Sequence, residues 1–318
     1  MNNFIYENKT KVYFGKGGVK EYLGCLLKNY NTVMLAYGGG SIKKNGIYNE
    51  IIGILNSAEK NIVEFSGIMP NPTYKKVLEG AKIARENNVE FILAVGGGSV
   101  IDCCKIVSAQ AKIDEDIWEN ITKKKKFPTE FIPMGAVVTA SGTGSEMNAG
   151  AVITNETEKI KCGLFGAQAD FAFLDPMYTM SVPFEQVISG AFDTLSHAME
   201  TYFGKPTENN LSDDINEAVM RSVQKYARAA HRARELRRSE RVDVGKLNGG
   251  ERNPQNRQDH GLSGAPDRTS ARRVNRLQSR KRSCCNSPCF VPSHLQGRFG
   301  KVREICKKCL GNFKQKFR

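Results

Sequence analysis

The chain has 318 residues, a hydrophobic fraction of 40% and a formal net charge of +14, enough for one large or two ordinary domains. No run of 18 apolar residues occurs, which excludes a membrane-spanning helix on sequence grounds, and the N-terminus lacks the basic and apolar regions of a secretory leader. The expected location is therefore cytoplasmic, and Cys25, Cys103, Cys104 and Cys162 are expected to be free, buried thiols.

The average charge conceals a break. Residues 1–225 hold 23 Lys+Arg against 26 Asp+Glu, whereas residues 226–318 hold 24 against 7, so all of the net positive charge sits in the tail. The basic residue changes too, from 21 Lys and 2 Arg before the break to 7 Lys and 17 Arg after it.

In chain order, residues 1–20 read as an irregular or edge-strand entry, with Lys11-Val-Tyr-Phe14 leading into a glycine-rich turn. Thr32-Val-Met-Leu-Ala-Tyr37 is an apolar run suited to a strand buried on both faces, followed by Gly38-Gly-Gly-Ser41 and a helix over residues 42–57. Asn71-Pro72 reads as an N-cap with proline at the first helical position, opening a helix that runs to Asn88. Val89-Glu-Phe-Ile-Leu-Ala-Val95 repeats the strand, Gly96-Gly-Gly-Ser99 repeats the turn 58 residues after the first, and a helix follows to about Ala111. Ser99 is expected to cap that helix, with Asp102 closing a variant capping box. Strand, glycine turn and helix in alternation predict a parallel sheet with helices on both faces.

Such turns bring backbone N–H groups and a helix N-terminus close to a phosphate, and a pyrophosphate is the natural guest. Neither turn matches the Gly-x-Gly-x-x-Gly fingerprint. Where an acidic residue would hold the ribose 2′-hydroxyl of NAD, this chain offers Gly39, Gly40, Ser41, Lys43 and Lys44, which favours NADP with NAD as the alternative. The Lys123-Lys-Lys-Lys126 run follows Asp114, Glu115, Asp116 and Glu119 and reads as a solvated loop, not a nucleic-acid site.

Phe131-Ile-Pro-Met-Gly-Ala-Val-Val138 is a further buried strand, and Thr139-Ala-Ser-Gly-Thr-Gly-Ser-Glu146 places hydroxyls and glycines at its end, where ligands of open α/β sheets bind. Residues 151–154 and 171–174 look like strands, and from Pro183 the pattern turns helical. There Asp193 and His197 stand four positions apart, so a carboxylate and an imidazole project from one helix face. That is half of a metal site, which needs further donors from elsewhere; a surface Asp/His pair at helical spacing is the bland alternative. The predicted organisation is an α/β dinucleotide-binding domain with a parallel sheet (1–180), the start of an incomplete all-helical domain (181–225) and a basic tail (226–318).

Gly38-Gly-Gly-Ser41, Pro70-Asn-Pro72, Gly96-Gly-Gly-Ser-Val-Ile-Asp102, Thr139-Ala-Ser-Gly-Thr-Gly-Ser-Glu146 and Gly190-Ala-Phe-Asp-Thr-Leu-Ser-His197 together resemble the iron-containing (group III) alcohol dehydrogenases, in particular their butanol dehydrogenase branch, over about residues 1–225. The resemblance implies that Gly38, Gly39 and Ser41 meet the adenosine ribose or its 2′-phosphate, and that Gly97, Gly98 and Ser99 meet the pyrophosphate. Asn71, Thr139, Thr143 and Lys161 would line the nicotinamide side. Asp193 and His197 would ligate Fe2+, or Zn2+ in its place. It also implies hydride transfer between NADP(H) and a short-chain alcohol or aldehyde, with the metal as Lewis acid and a homodimer for an intact member.

In that family two later histidines complete the metal site. Here only His231, His260 and His294 remain, none in a matching context, and none is assigned. Residues 226–318 contain 16 Leu+Ile+Val+Phe among 93, a composition expected to be disordered. A basic nucleic-acid-binding extension, with Cys284, Cys285, Cys289, Cys306 and Cys309 as a zinc knuckle, is one reading of them. The favoured reading is a shift of reading frame between about Val223 and His231, which predicts little or no activity for the chain as it stands.

Overall fold

A computed structural model describes residues 7–204 and 211–247, with side chains through residue 232; the cysteines and histidines of the tail beyond 247 lie outside the described residues. The chain divides into two units, Met1–Ala227 and Arg228–Arg318.

The first unit is built on a six-stranded sheet in the order β1-β8-β5-β4-β2-β3. Its strands are β1 (Lys11–Phe14), β2 (Thr32–Tyr37), β3 (Asn61–Phe65), β4 (Phe91–Gly96), β5 (Met134–Val138) and β8 (Phe171–Leu174). Every pairing is parallel, as the alternation of strands and helices predicts. β2, β4 and β5 are interior and covered on both faces, so almost every residue in them is buried, which is why they read as unbroken apolar runs. The edges β1 and β3 are half exposed. β3 lacks the continuous apolar signal and was not legible from the sequence.

Alternate side chains of each strand feed two cores. Val33, Leu35 and Tyr37 pack with α1 (Gly18–Leu26) and α3 (Ile47–Ser57) on one face. Met34 and Ala36 pack with α4 (Tyr74–Glu86), α5 (Gly98–Gln110) and α6 (Ile117–Thr122) on the other. An antiparallel hairpin of β6 (Gly150–Asn155) and β7 (Ile160–Phe165) stands apart from the main sheet and covers the α5 side through Ala151, Ile153 and Leu164.

Several local expectations are corrected. The helix expected over 42–57 is two, α2 (Ser41–Lys44) and α3, separated at Gly46, whose φ of 85° interrupts helical geometry. Asn71 does not cap α4: its φ is 56°, whereas an N-cap is extended. Thr73 is extended and its hydroxyl accepts from the Lys76 amide. Ser99 does not cap α5 either, because that position falls to the extended Gly97. Cys103 and Cys104 are buried, but Cys25 is exposed and Cys162, which packs against the core from the β6–β7 hairpin, is intermediate.

After β8, α7 (Phe184–Tyr202) and α8 (Leu211–Leu247) follow. Along α7 Ala198 and Tyr202 are buried, and the Tyr202 hydroxyl donates to Glu217 of α8 at 3.0 Å. α8 continues 22 residues beyond the expected break at 225. Alanine and arginine are frequent in residues 226–247, and both favour helix.

Candidate active site

The glycine turns after β2 and β4 and the loop after β5 emerge at the carboxyl ends of three neighbouring parallel strands, the usual place for ligands of an open α/β sheet. α5 begins at the second turn and carries no acidic residue in its first turn, so its partial positive charge is uncompensated at the end that faces the turn.

The loop of residues 139–147 starts at Thr139, whose amide donates to Gly96 O at 3.0 Å. A methyl group at Gly98 would lie 3.2 Å from the Thr143 hydroxyl, and one at Gly97 would lie 3.4 Å from Ala140. Thus Gly97, Gly98, Thr139 and Thr143, separated by some 40 positions, stand side by side. On the other flank Gly67 N donates to Gly38 O at 3.2 Å, which sets Gly67 and Ile68 against the first turn.

Asn71 and Lys161 also meet. The β6–β7 hairpin is drawn over the segment before α4 by the Thr154 amide, which donates to Pro72 O at 3.0 Å. Lys161 on β7 then donates to Asn71 Oδ1 at 2.7 Å across 90 residues of sequence. The left-handed conformation of Asn71 turns its side chain into that contact in place of a cap.

Near the first turn, Lys43 lies 4.3 Å from the Tyr48 ring centre and 3.5 Å from Glu64 Oε2. Tyr37 and Tyr48 both donate to that carboxylate. These two hydrogen bonds hold the Glu64 carboxyl below its ordinary range, while the hydrogen bond between Lys43 and Tyr37 raises the ammonium. Glu64 thereby compensates one of the two cations beside the turn.

α7 approaches the 139–147 loop closely. A methyl group at Gly190 would lie 2.5 Å from Ser141 O, and the Thr194 hydroxyl donates to Gly142 O at 3.3 Å. Asp193 Oδ2 lies 3.6 Å from where a methyl group of Gly142 would stand, so the carboxylate faces the loop. Asp193 Oδ1 and His197 Nε2 are 3.9 Å apart, as helical spacing requires, and both side chains are about half exposed. Oxygen and nitrogen suit a first-row metal in kind but not in number. Among the described residues no group of three or more His, Cys, Asp or Glu side chains converges. The metal set is therefore incomplete in them.

The sequence reading missed one cluster. Lys105 of α5 is completely buried and donates to Ser145 Oγ at 2.9 Å, Asn148 Oδ1 at 3.1 Å and Gly150 O at 2.7 Å. Ser145 in turn donates to Asp102, whose other oxygen accepts from the Val152 amide at 2.9 Å. Asp102 does not close a capping box: its carboxylate is committed to Ser145 and Val152. Burial lowers the Lys105 ammonium to about 8, opposed by Asp102 and then Glu146. A lysine set in an otherwise apolar helical run, Cys103-Cys-Lys-Ile-Val107, was the available signal. Burial also pushes the Cys103 thiol up to about 12 and raises Cys104, leaving both as inert core side chains.

The Lys123–Lys126 run is exposed and pairs with Glu119, Glu158 and Glu115, as a solvated loop should. Among the described residues no helix is long and apolar enough to cross a membrane.

Fold and loops define the class: a parallel α/β protein whose ligand loops gather at the strand ends and abut the first helix of a helical region. The chain belongs to the iron-containing alcohol dehydrogenase family, whose model matches residues 9–176. It is 45% identical over 227 residues to a probable NADH-dependent butanol dehydrogenase 1 of Bacillus subtilis, covering 70% of this chain and 58% of that protein. The NADPH-dependent aldehyde reductase YqhD of Escherichia coli is 39% identical over 227 residues, with 69% and 57% covered. The crystal structure of NADH-dependent butanol dehydrogenase A from Thermotoga maritima superposes with a TM-score of 0.67 at 39% identity, over 72% of this chain and 58% of that one. The chain thus spans less than three fifths of these relatives.

Proposed function

We propose that this chain carries the dinucleotide-binding half of an NADP(H)-dependent, metal-dependent alcohol dehydrogenase that interconverts short-chain, butanol-like primary alcohols and aldehydes, acting in the cytoplasm. Residues 1–180 form the dinucleotide domain, 181–225 begin the helical metal domain, and 226–318 are out of frame. The observation that carries this reading is the convergence of Gly97 and Gly98 with Thr139 and Thr143 at the carboxyl ends of β4 and β5. Four of the five motifs, far apart in sequence, are joined by such contacts: Gly38 with Val100, Gly97 and Gly98 with Ala140 and Thr143, and Gly190 with Ser141.

In this reading Gly38, Gly39 and Ser41 receive the adenosine ribose, and Gly97, Gly98 and Ser99 receive the pyrophosphate at the α5 N-terminus. Asn71, Thr139, Thr143 and Lys161 orient the nicotinamide, with Lys161 holding Asn71 in its left-handed conformation. The bound nicotinamide supplies or accepts the hydride. The 38–41 turn has no carboxylate of its own and is followed by Lys43 and Lys44, which supports NADP(H). Glu64 offsets Lys43, so NAD(H) is the competing cofactor, and both kinds occur in relatives' names.

Asp193 and His197 contribute two metal donors, iron or zinc being the candidates. With two donors the chain holds a metal weakly and turns over little or nothing; an intact member, a homodimer, has the full set. Titrating the purified chain with NADPH and NADH by fluorescence tests the reading. Saturable binding with NADPH the tighter is expected. Binding of neither dinucleotide refutes the site, and stoichiometric metal with full butanal reduction refutes the impairment.

A further inference from the structure

We propose that Lys105 is a positioning residue of the dinucleotide site, which fixes the 139–147 loop to α5 and so holds Thr143 against Gly98 and the loop against α7. This rests on the dinucleotide-binding reading above. An ammonium has three N–H donors, and Lys105 spends them on Ser145, Asn148 and Gly150. Ser145 Oγ accepts from Lys105 and directs its own proton to Asp102 Oδ1, while Asp102 Oδ2 takes the Val152 amide. Every polar atom of the Lys105–Ser145–Asp102 chain has a partner, and the partners outside α5 all fall within residues 145–152.

That segment follows Thr143 directly and leads into β6. Its far side is constrained as well, because Ser141 O and Gly142 O meet Gly190 and Thr194 of α7. The brace and the α7 contact therefore clamp the loop from its two ends, with Thr143 between them. Stability alone gives no reason for a fully buried charge here: an apolar side chain of similar volume fills such a site at lower desolvation cost. What the ammonium adds is three directional contacts that set where the loop stands relative to the α5 N-terminus.

The test compares Lys105→Met, Ser145→Ala and a core control on the same helix, Val107→Ala, in the full chain. Measurements are NADPH and NADH affinity, thermal unfolding and amide exchange over residues 141–152. Expected are about tenfold weaker NADPH binding and faster exchange of the segment in both brace variants, with neither change in V107A even where its melting temperature falls as far. Equal affinity loss in V107A at matched stability, or unchanged exchange in the brace variants, overturns the proposal. Should K105M fail to fold, S145A decides it. Binding of neither dinucleotide by the wild type removes the functional reading, and the exchange comparison then judges by itself whether Lys105 holds the loop.

Discussion

Two helical glycines give opposite expectations for the same substitution. Gly53 sits in α3, exposed, with nothing within 4 Å of an added methyl group. Replacing it with alanine should stabilise the protein by about 0.5–1 kcal/mol, since glycine loses more backbone freedom on entering a helix. Gly190 in α7 has the same propensity to gain, but its methyl group would stand 2.5 Å from Ser141 O. Carbon and carbonyl oxygen need over 3 Å, and both groups belong to backbone, so α7 or the loop must move by several tenths of an ångström. Overpacking of this kind costs about 1–3 kcal/mol; after the propensity gain of up to about 1 kcal/mol, Gly190→Ala should be destabilising by about 1–2 kcal/mol. Urea unfolding of the two variants, followed by far-ultraviolet circular dichroism, should separate them by about 2 kcal/mol in opposite directions from the wild type. If G190A is as stable as G53A, the close approach of α7 to the 139–147 loop is wrong, and Asp193 does not face that loop.

Further outcomes follow from the same geometry. Asn71→Ala and Lys161→Met should each weaken dinucleotide binding several-fold, and the double variant should be hardly worse than either single one, a coupling of about 0.5–1 kcal/mol for a partly exposed charged hydrogen bond; full additivity would dissociate the pair. For pH, the Lys105 ammonium lies at about 8 in the folded chain against 10.5 when unfolded. The unfolded chain therefore binds the extra proton between those values, and unfolding free energy should rise with pH across that window in the wild type relative to K105M; parallel pH profiles for the two proteins would contradict it. Metal analysis should find well under one iron or zinc per chain, and reading the coding DNA downstream of Val223 in the other two frames should yield apolar helices with two histidines. Failure of both frames would leave the tail a genuine extension.

Legibility from sequence followed locality. β2, β4 and β5 announce themselves because burial on both faces leaves runs of five or six residues that are almost wholly apolar. The glycine turns are equally local, as is the four-residue spacing of Asp193 and His197, which helix geometry alone converts into one face. β1 and β3 are edge strands whose outward residues dilute that signal, and the caps went wrong because Asn71 is left-handed and the N-cap of α5 falls at Gly97. Asn71 and Lys161 were each legible as candidates, their pairing was not.

The amino-acid sequence by itself thus determined the family, the parallel α/β class, the positions of the glycine turns and the shared helix face of Asp193 and His197, since each depends on residues close together in the chain. The tertiary structure decided which of those residues meet. Only the folding of the β6–β7 hairpin onto the α4 entry joins Lys161 to Asn71, and only the packing of α5 against residues 145–152 turns a lysine in an apolar run into a brace. Such contacts form between segments whose separation in sequence carries no periodic signature, and the free energy that selects them belongs to the assembled core.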